Sequence, residues 1–145
     1  MSREFHLEFE EEPSPDQVRF LEDRLHEFNV KASGISDGRY LAIFVRGDDG
    51  ATVAGLFGHT WGGCCEIRLL WVNEELRGRG LGRSLMEAAE AEARRRGSRQ
   101  ILVATHSFQA PDFYRRLGFL PIVAVEDQPE GHQHLLFLKK LAGGA

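Results

Sequence analysis

Apolar residues along the chain recur at every second position in some segments, as in strands, and at every third or fourth position in others, as in helices. Apolar and polar residues alternate near the start, which predicts a first strand over Phe5–Phe9. Apolar residues then recur every three or four positions, which predicts an amphipathic helix over Asp16–Phe28. The remaining predicted elements are, in chain order, strands at Arg39–Arg46, Ala51–Gly58 and Cys64–Val72, a helix at Leu81–Arg96, a strand at Ile101–Ala104, a short helix at Ala110–Leu117, and strands at Phe119–Glu126 and His132–Lys139.

The order of these elements predicts a mixed sheet. Lys31–Gly38 contains small and turn-forming residues and is predicted to be a loop, whereas Gly47–Gly50 predicts a hairpin turn. In the middle of the chain, a strand, a glycine-rich turn, a helix and the fully apolar strand Ile101–Ala104 follow one another. Such an order predicts a right-handed crossover between parallel neighbours. We therefore expect one α/β domain spanning residues 1–145.

Composition excludes several classes of protein. The chain has 145 residues, of which 42% are apolar and 28% charged, as in ordinary globular domains. A net charge of −4 argues against nucleic acid as a partner. Apolar runs are too short to span a bilayer, and the acidic start resembles no signal peptide, so we expect a cytoplasmic protein without membrane association.

Metal binding is not predicted. Cys64 and Cys65 are adjacent, which strains a bridge between them and gives poor spacing for metal ligands. His132 and His134 share one face of the last predicted strand, but two histidines alone make a poor metal site.

The glycines at 78, 80 and 82 carry the most specific chemistry. They lie between a strand and a helix, where unpaired backbone N–H groups attract phosphate. A P-loop would need a Gly-Lys-Ser/Thr ending, which is lacking. A dinucleotide fingerprint would need a third glycine at the position of Arg83 and an acid after the next strand, where Thr105-His106-Ser107 stands.

A third interpretation rests on a resemblance. Arg77-x-x-Gly80-x-Gly82 resembles the pyrophosphate loop of the GNAT N-acetyltransferases, and Phe113–Phe119 resembles the second signature of that family. The string Ser107–Pro111 is similar to a branch of small bacterial members. The resemblance implies a twisted central sheet of about six to seven strands flanked by helices. It also implies a splayed strand pair, opened by a β-bulge, that forms an acyl-CoA cleft.

The same resemblance implies the function and the ligand set. The expected reaction is acetyl transfer from acetyl-CoA, as co-substrate, to a primary amine by direct attack in a ternary complex. In this family, backbone amides of the glycine loop hold the pyrophosphate and a strand pairs with the pantetheine arm. The residues implied to bind the cofactor are Leu70, Trp71, Val72, Arg77, Gly78, Arg79, Gly80, Leu81, Gly82, Arg83, Ser84, Ser107, Gln109 and Tyr114.

The implied catalytic residues are Tyr114 and Glu66. Tyr114 matches the family tyrosine that protonates the departing thiolate, and a phenol with a reference pKa of about 10 suits that task. Glu66 has the spacing at which some members carry a glutamate base. His106, or water, is the alternative base, because an imidazole with a reference pKa of about 6.5 accepts protons near neutrality.

One departure from the family pattern and two questions of function stay open. Many members carry Asn seven residues before the tyrosine, where this chain has Ser107, so Ser107 or Gln109 is expected to take over that contact. The acceptor is expected to be the amine of a small molecule or peptide, and a homodimer is one expected assembly. The alternative function is a non-catalytic acyl-CoA-binding module.

Overall fold

The structure, a computed structural model, describes residues 4–141. The chain divides into two compact units, of which the first ends at Ile35 and the second begins at Ser36. Within the described residues, no helix is long and apolar enough to cross a membrane.

The first unit contains one helix, α1, at Pro15–Ser33. It begins with a capping box, in which the Gln17 amide donates to the Ser14 hydroxyl at 3.2 Å and the Ser14 amide donates to the Gln17 side chain at 2.8 Å. It ends at Gly34, which adopts a left-handed φ of 74°. The helix therefore continues into the segment predicted as a loop, because the glycine stops it and the small residues before Gly34 do not.

The predicted strand at Phe5–Phe9 is wrong. Residues 4–10 form no regular structure and pair with no strand in the part of the chain that the structure describes. Alternating apolar residues are compatible with a strand, but a strand exists only where a neighbour accepts and donates its backbone hydrogen bonds.

The second unit is built on a sheet of six strands among the described residues, in the order β1-β2-β3-β4-β6-β5. β3 and β4 are parallel and every other neighbouring pair is antiparallel, so the predicted mixed sheet and parallel crossover are confirmed. The strands are β1 Arg39–Arg46, β2 Thr52–Trp61, β3 Cys64–Val72, β4 Gln100–His106, β5 Leu120–Glu126 and β6 Gln133–Lys140. The helices are α2 Leu81–Arg95 and α3 Pro111–Arg116, with a short 3₁₀ turn at Glu74–Leu76.

The two faces of the sheet differ in their surroundings. Leu85, Met86 and Ala89 of α2 are buried in one cluster with the inward residues of the strands. This helix-covered face carries Cys65, Ile67, Ile101, Val103, Thr105, Leu135 and Phe137. The alternate residues lie on the opposite side, which we call the distal face, and they include His59, Glu66, Leu102, His106 and His134.

β3 contains a bulge at Arg68. Leu69 pairs with Phe57 of β2, whereas the next pair joins Gly58 to Ile67, so the backbone of Arg68 has no pairing partner on β2. A Cβ atom on Gly58 would lie 2.1 Å from the Glu66 carbonyl oxygen, so only glycine permits this approach of the two backbones.

The bulge lies where β3 and β4 separate. The two strands pair only over Cys64–Ile67 and Gln100–Val103. Beyond that point, Arg68–Val72 and Ala104–His106 have no pairing with each other. The separation leaves a cleft in the middle of the sheet, between two parallel strands that are both backed by the core.

Replacing Gly58 with alanine is expected to destabilise the fold, because the added methyl group meets backbone that cannot rotate away. We expect the free energy of unfolding to fall by about 3 kcal/mol, at the upper end of overpacking costs. Chemical denaturation measures this change. Gly82→Ala is the control: its Cβ would meet Phe113 at an ordinary 3.4 Å, so an equal loss in that variant would contradict the steric explanation.

Candidate active site

The glycine loop has the backbone conformation that its sequence requires. Gly78 and Gly80 adopt left-handed φ angles of 78° and 84°, which ordinary residues rarely take. A Cβ atom added at either glycine would meet no atom within 4 Å, so both positions border open space. The glycines therefore shape a loop over which a ligand can lie close to the backbone.

The start of α2 presents unpaired backbone donors to the same space. Gly80 caps the helix without any side-chain hydrogen bond, and the first backbone bond runs from the Ser84 amide to the Gly80 carbonyl at 3.0 Å. The amides of Leu81, Gly82 and Arg83 have no hydrogen-bond partner within residues 4–141. Together with the helix dipole, they form a site suited to a phosphate group.

The arginines around this loop have different partners. Arg77 Nε donates to the Val72 carbonyl at 3.1 Å, which ties the loop to the end of β3. Arg83 forms an exposed ion pair with Glu87 at 2.8 Å. Arg79 has no carboxylate partner within residues 4–141. The loop therefore keeps positive charge available for an anion.

α3 brings Tyr114 next to the same loop. A Cβ on Gly82 would touch the Phe113 ring at 3.4 Å and the Val72 side chain at 3.9 Å, so the start of α2, the start of α3 and the end of β3 meet. The Tyr114 ring contacts those of Phe113 and Phe137, with centroid distances of 5.1 Å and 6.1 Å. Tyr114 is thus held on the helix-covered side of the sheet.

The Tyr114 side chain is mostly buried, and it forms no hydrogen bond with the described residues. The residue is 6% exposed, and its hydroxyl has no hydrogen-bond partner in residues 4–141. Burial raises the pKa of Tyr114 to about 12, because the ionised phenolate would lose its hydration. The phenol therefore stays protonated at every physiological pH and has a proton to donate.

Glu66 lies on the distal face, on the closed side of the cleft. It pairs with Leu102 in the last part of the β3–β4 ladder, before the bulge. Its carboxylate lies 3.6 Å from Nε2 of His59, its partner on β2, and both side chains are partly exposed. The carboxylate and Tyr114 thus lie on opposite faces of the sheet.

The stretch of β3 beyond the bulge contains the three strand residues that are predicted to contact the cofactor. Leu70, Trp71 and Val72 still pair with β2 but have no partner on β4. The bulge changes which side chains face inward, so that Leu70 and Val72 pack against the core and Trp71 is half exposed on the distal face. One edge of this stretch is therefore open to the cleft.

The side chains of Ser107 and Gln109 differ in how many of their polar atoms are hydrogen-bonded. The Ser107 hydroxyl accepts the Gln133 amide at 2.9 Å, and the Ser107 amide donates to the Gln133 carbonyl at 2.9 Å. The Gln109 side-chain oxygen accepts the His106 amide at 2.7 Å. Ser107 thus extends the β4–β6 ladder, whereas the Gln109 side-chain nitrogen has no partner within residues 4–141.

His106 is engaged at both ring nitrogens. Its Nδ1 lies 3.1 Å from the Gln109 oxygen and its Nε2 lies 3.2 Å from Nδ1 of His134. His106 by itself therefore has no open nitrogen with which to accept a proton. The sequence interpretation considered His134 only as a metal ligand. The cross-strand register of His106 with His134 could have identified the pair, but it depends on the pairing of β4 with β6.

Comparisons with known proteins agree with this geometry. The model of the Acetyltransferase (GNAT) family matches residues 2–119. Acetyltransferase Atu2258 of Agrobacterium fabrum is 37% identical over 83% of this chain and 87% of its own length. Blasticidin-S acetyltransferase of Streptomyces morookaense is 39% identical over 69% of this chain and 74% of its own length.

Solved structures show the same fold. A protein from Agrobacterium tumefaciens assigned as an acetyltransferase superposes with a TM-score of 0.83 at 31% identity, over 94% of this chain and 100% of the other. An acetyltransferase from Bacillus cereus gives a TM-score of 0.75 at 28% identity, over 92% and 98% of the two chains.

The chain belongs to the GNAT acetyltransferase family, whose members transfer acyl groups from acyl-CoA. The resemblance inferred from residues 77–82 and 113–119 and the expected fold class are therefore confirmed. The roles of individual site residues stay predictions.

The glycine loop provides a matched pair of variants. Gly80→Ala and Gly97→Ala both place a side chain at a φ of 84° with open space around it, so both should lose about 1 kcal/mol of stability. Only Gly80 borders the unpaired amides, so we expect Gly80→Ala alone to weaken coenzyme A binding, by about tenfold, or roughly 1.4 kcal/mol. Calorimetric titration with coenzyme A measures the affinities. Equal affinity in the two variants would refute the assignment of the loop.

Proposed function

We propose that this protein is an acetyl-CoA-dependent N-acetyltransferase that acts on a primary amine by direct attack in a ternary complex. One observation carries the proposal: a proton donor and a carboxylate lie on opposite faces of a sheet that is open between β3 and β4. A thioester in that gap can lose its thiolate toward Tyr114 while an amine approaches from the distal face. The match to the family spans both compact units, which supports one functional domain over residues 1–145.

The cofactor contacts follow from the donors that are left unpaired. The amides of Leu81–Arg83, with Arg79 nearby, would hold the pyrophosphate. The open edge of Leu70–Val72 would pair with the pantetheine arm, and the Leu70 amide would polarise the thioester carbonyl. Of the two candidates for the missing family asparagine, Gln109 is favoured because its side-chain nitrogen is unpaired and the Ser107 hydroxyl is already engaged.

Each chemical step then has a group suited to it. The neutral amine attacks the carbonyl carbon, so a C–N bond forms and the carbonyl electrons move to oxygen. Collapse of this intermediate breaks the C–S bond, and the leaving thiolate takes the proton of Tyr114. The new amide nitrogen then gives up its extra proton to water, and water returns a proton to the Tyr114 phenolate. The high pKa of Tyr114, about 12, keeps that proton in place until a thiolate appears in the same desolvated environment, where the thiol pKa is raised as well.

Glu66 is proposed to receive the proton of the acceptor ammonium. The carboxylate is partly exposed on the distal face, next to His59, and is therefore accessible to an incoming amine. An alkylammonium with a reference pKa of about 10.4 is almost fully protonated at pH 7, so a base must remove a proton before attack.

The proposed acceptor class is a small-molecule or peptide amine. One relative is named for acetylation of blasticidin S, so that antibiotic belongs in the first panel of acceptors, with polyamines, amino acids and peptides. Release of coenzyme A thiol in the presence of each amine measures acceptance.

Tyr114→Phe tests the acid. We expect turnover to fall about 100-fold or more, because the thiolate must leave unprotonated, while the affinity for acetyl-CoA is retained since the aromatic packing is kept. Steady-state thiol release and calorimetric titration measure the two quantities. Tyr40→Phe is the control, because Tyr40 is the other tyrosine of the chain and lies on the edge strand β1.

The outcomes separate the two function classes. Undiminished turnover in Tyr114→Phe would remove Tyr114 as the acid. If acetyl-CoA binds tightly but none of the amines in the panel causes release of thiol, the result would instead support the non-catalytic acyl-CoA-binding module.

Glu66→Gln tests the base. We expect turnover at pH 7 to fall about 100-fold, with recovery toward the wild-type rate as the pH approaches the pKa of the amine, where free amine no longer needs a base. A pH series of turnover measures this, with Glu130→Gln, at an exposed glutamate in the loop between β5 and β6, as the control. A loss that is constant at every pH would contradict a base role for Glu66.

A further inference from the structure

A chain of hydrogen bonds links Gln109, His106 and His134 at the end of β4. His106 and His134 are cross-strand partners on β4 and β6, and both point to the distal face. The Gln109 oxygen lies 3.1 Å from His106 Nδ1, and His106 Nε2 lies 3.2 Å from His134 Nδ1. The Phe108 ring stacks on His106 with an interplanar angle of 14°, which holds the imidazole plane in place.

The direction of every bond in this chain follows from a backbone amide. The His106 N–H can only donate, so the Gln109 atom at 2.7 Å from it must be the amide oxygen. The same oxygen lies next to His106 Nδ1, so Nδ1 must carry a proton and donate it. In the neutral ring, His106 Nε2 is then left with a lone pair.

The same logic continues to His134. Since His106 Nε2 accepts, His134 Nδ1 must carry the proton that it donates. The neutral His134 ring then has its lone pair on Nε2, at the outer end of the chain. No partner for this nitrogen is found within residues 4–141. The network therefore presents one hydrogen-bond acceptor of fixed tautomer on the distal face.

This acceptor lies within reach of the proposed reaction site. His106 belongs to the stretch of β4 that has separated from β3, and β6 is the next strand outward. His134 is thus two strands from Leu70, which is at least about 10 Å, because β3 and β4 are no longer paired at this level. Glu66 lies on the same face, so an elongated acceptor crossing the cleft would pass both groups.

We propose that His134 Nε2 recognises the acceptor by accepting a hydrogen bond from a second N–H or O–H group, at least about 10 Å from the amine that is acetylated. His106 and Gln109 are positioning residues that hold His134 in the required tautomer. This inference rests on the proposed function and names its substrate class: amines with a second donor, such as diamines and hydroxyl-bearing or guanidinium-bearing amines.

The tautomers provide a test that needs no activity. In ¹⁵N NMR spectra at alkaline pH, where the neutral rings are observed, we expect both His106 and His134 to carry the proton on Nδ1. In Gln109→Met the oxygen that orders the chain is absent, so we expect this preference to be lost. A wild-type His134 protonated on Nε2 would overturn the proposal even if the enzyme is active.

Acceptor recognition is tested with a matched pair of amines, octylamine and α,ω-diaminooctane, which differ only in the second amine. For His134→Phe, we expect the KM of the diamine to rise at least tenfold, with little change in kcat and no change for octylamine. His132→Phe is the control, because His132 contacts Phe108 but is outside the hydrogen-bonded chain. Equal effects on the two amines would overturn the proposal.

Failure of the proposed function gives a different result. Without turnover of any amine, the diamine can still be titrated into the coenzyme A complex while the His134 Nε2 signal is followed. A shift with the diamine and none with octylamine supports recognition by His134 independently of catalysis, and no shift with either amine overturns it.

Discussion

The approach of Gly58 to the Glu66 carbonyl is the constraint on which the cleft depends. It leaves room for Arg68 as an extra residue in β3, and the bulge lies at the point where β3 and β4 stop pairing. A bulge bends its strand and increases the local twist, so a parallel neighbour cannot follow it. The same bulge changes which residues of the strand face the core: odd-numbered residues such as Ile67 are buried before it, and even-numbered residues such as Leu70 pack inward after it. The contact of Gly58 with the Glu66 carbonyl is thus compatible both with an open sheet between β3 and β4 and with continuous packing of β3 against the core.

Around this opening, the groups proposed to bind the cofactor are separate from the groups proposed to transfer protons. The glycine loop and the start of α2 present unpaired backbone amides and arginines that are suited to an anion, although the chain as a whole carries a net charge of −4. Tyr114 lies behind the sheet in an aromatic environment that keeps its phenol neutral. Glu66 and the His106–His134 pair lie on the distal face, where solvent and an incoming amine have access. The sheet itself therefore keeps the proposed proton donor apart from the groups proposed to accept protons or hydrogen bonds.

Much of the fold could be predicted because the relevant signals are local. β1 and β3 were predicted with the bounds that the structure gives them, since hairpin turns with glycine delimit both. The glycine loop could be recognised because a left-handed φ and close ligand approach both select glycine at fixed spacing. The prediction of a strand at Phe5–Phe9 was wrong for the opposite reason. The alternation of apolar and polar residues is a local pattern, but a strand also needs a neighbouring strand to pair with, which no local pattern supplies.

By itself, the sequence determined most of the elements, the conformation of the glycine loop and the family, because turn residues, helix ends and glycine spacing act over a few neighbours. Only the tertiary structure decided which side chains work together. The separation of Tyr114 from Glu66 by the sheet depends on the bulge at Arg68, and the pairing of His106 with His134 depends on the register between β4 and β6. Both are contacts between distant parts of the chain. They are fixed by the packing of the whole sheet, which no short stretch of residues encodes.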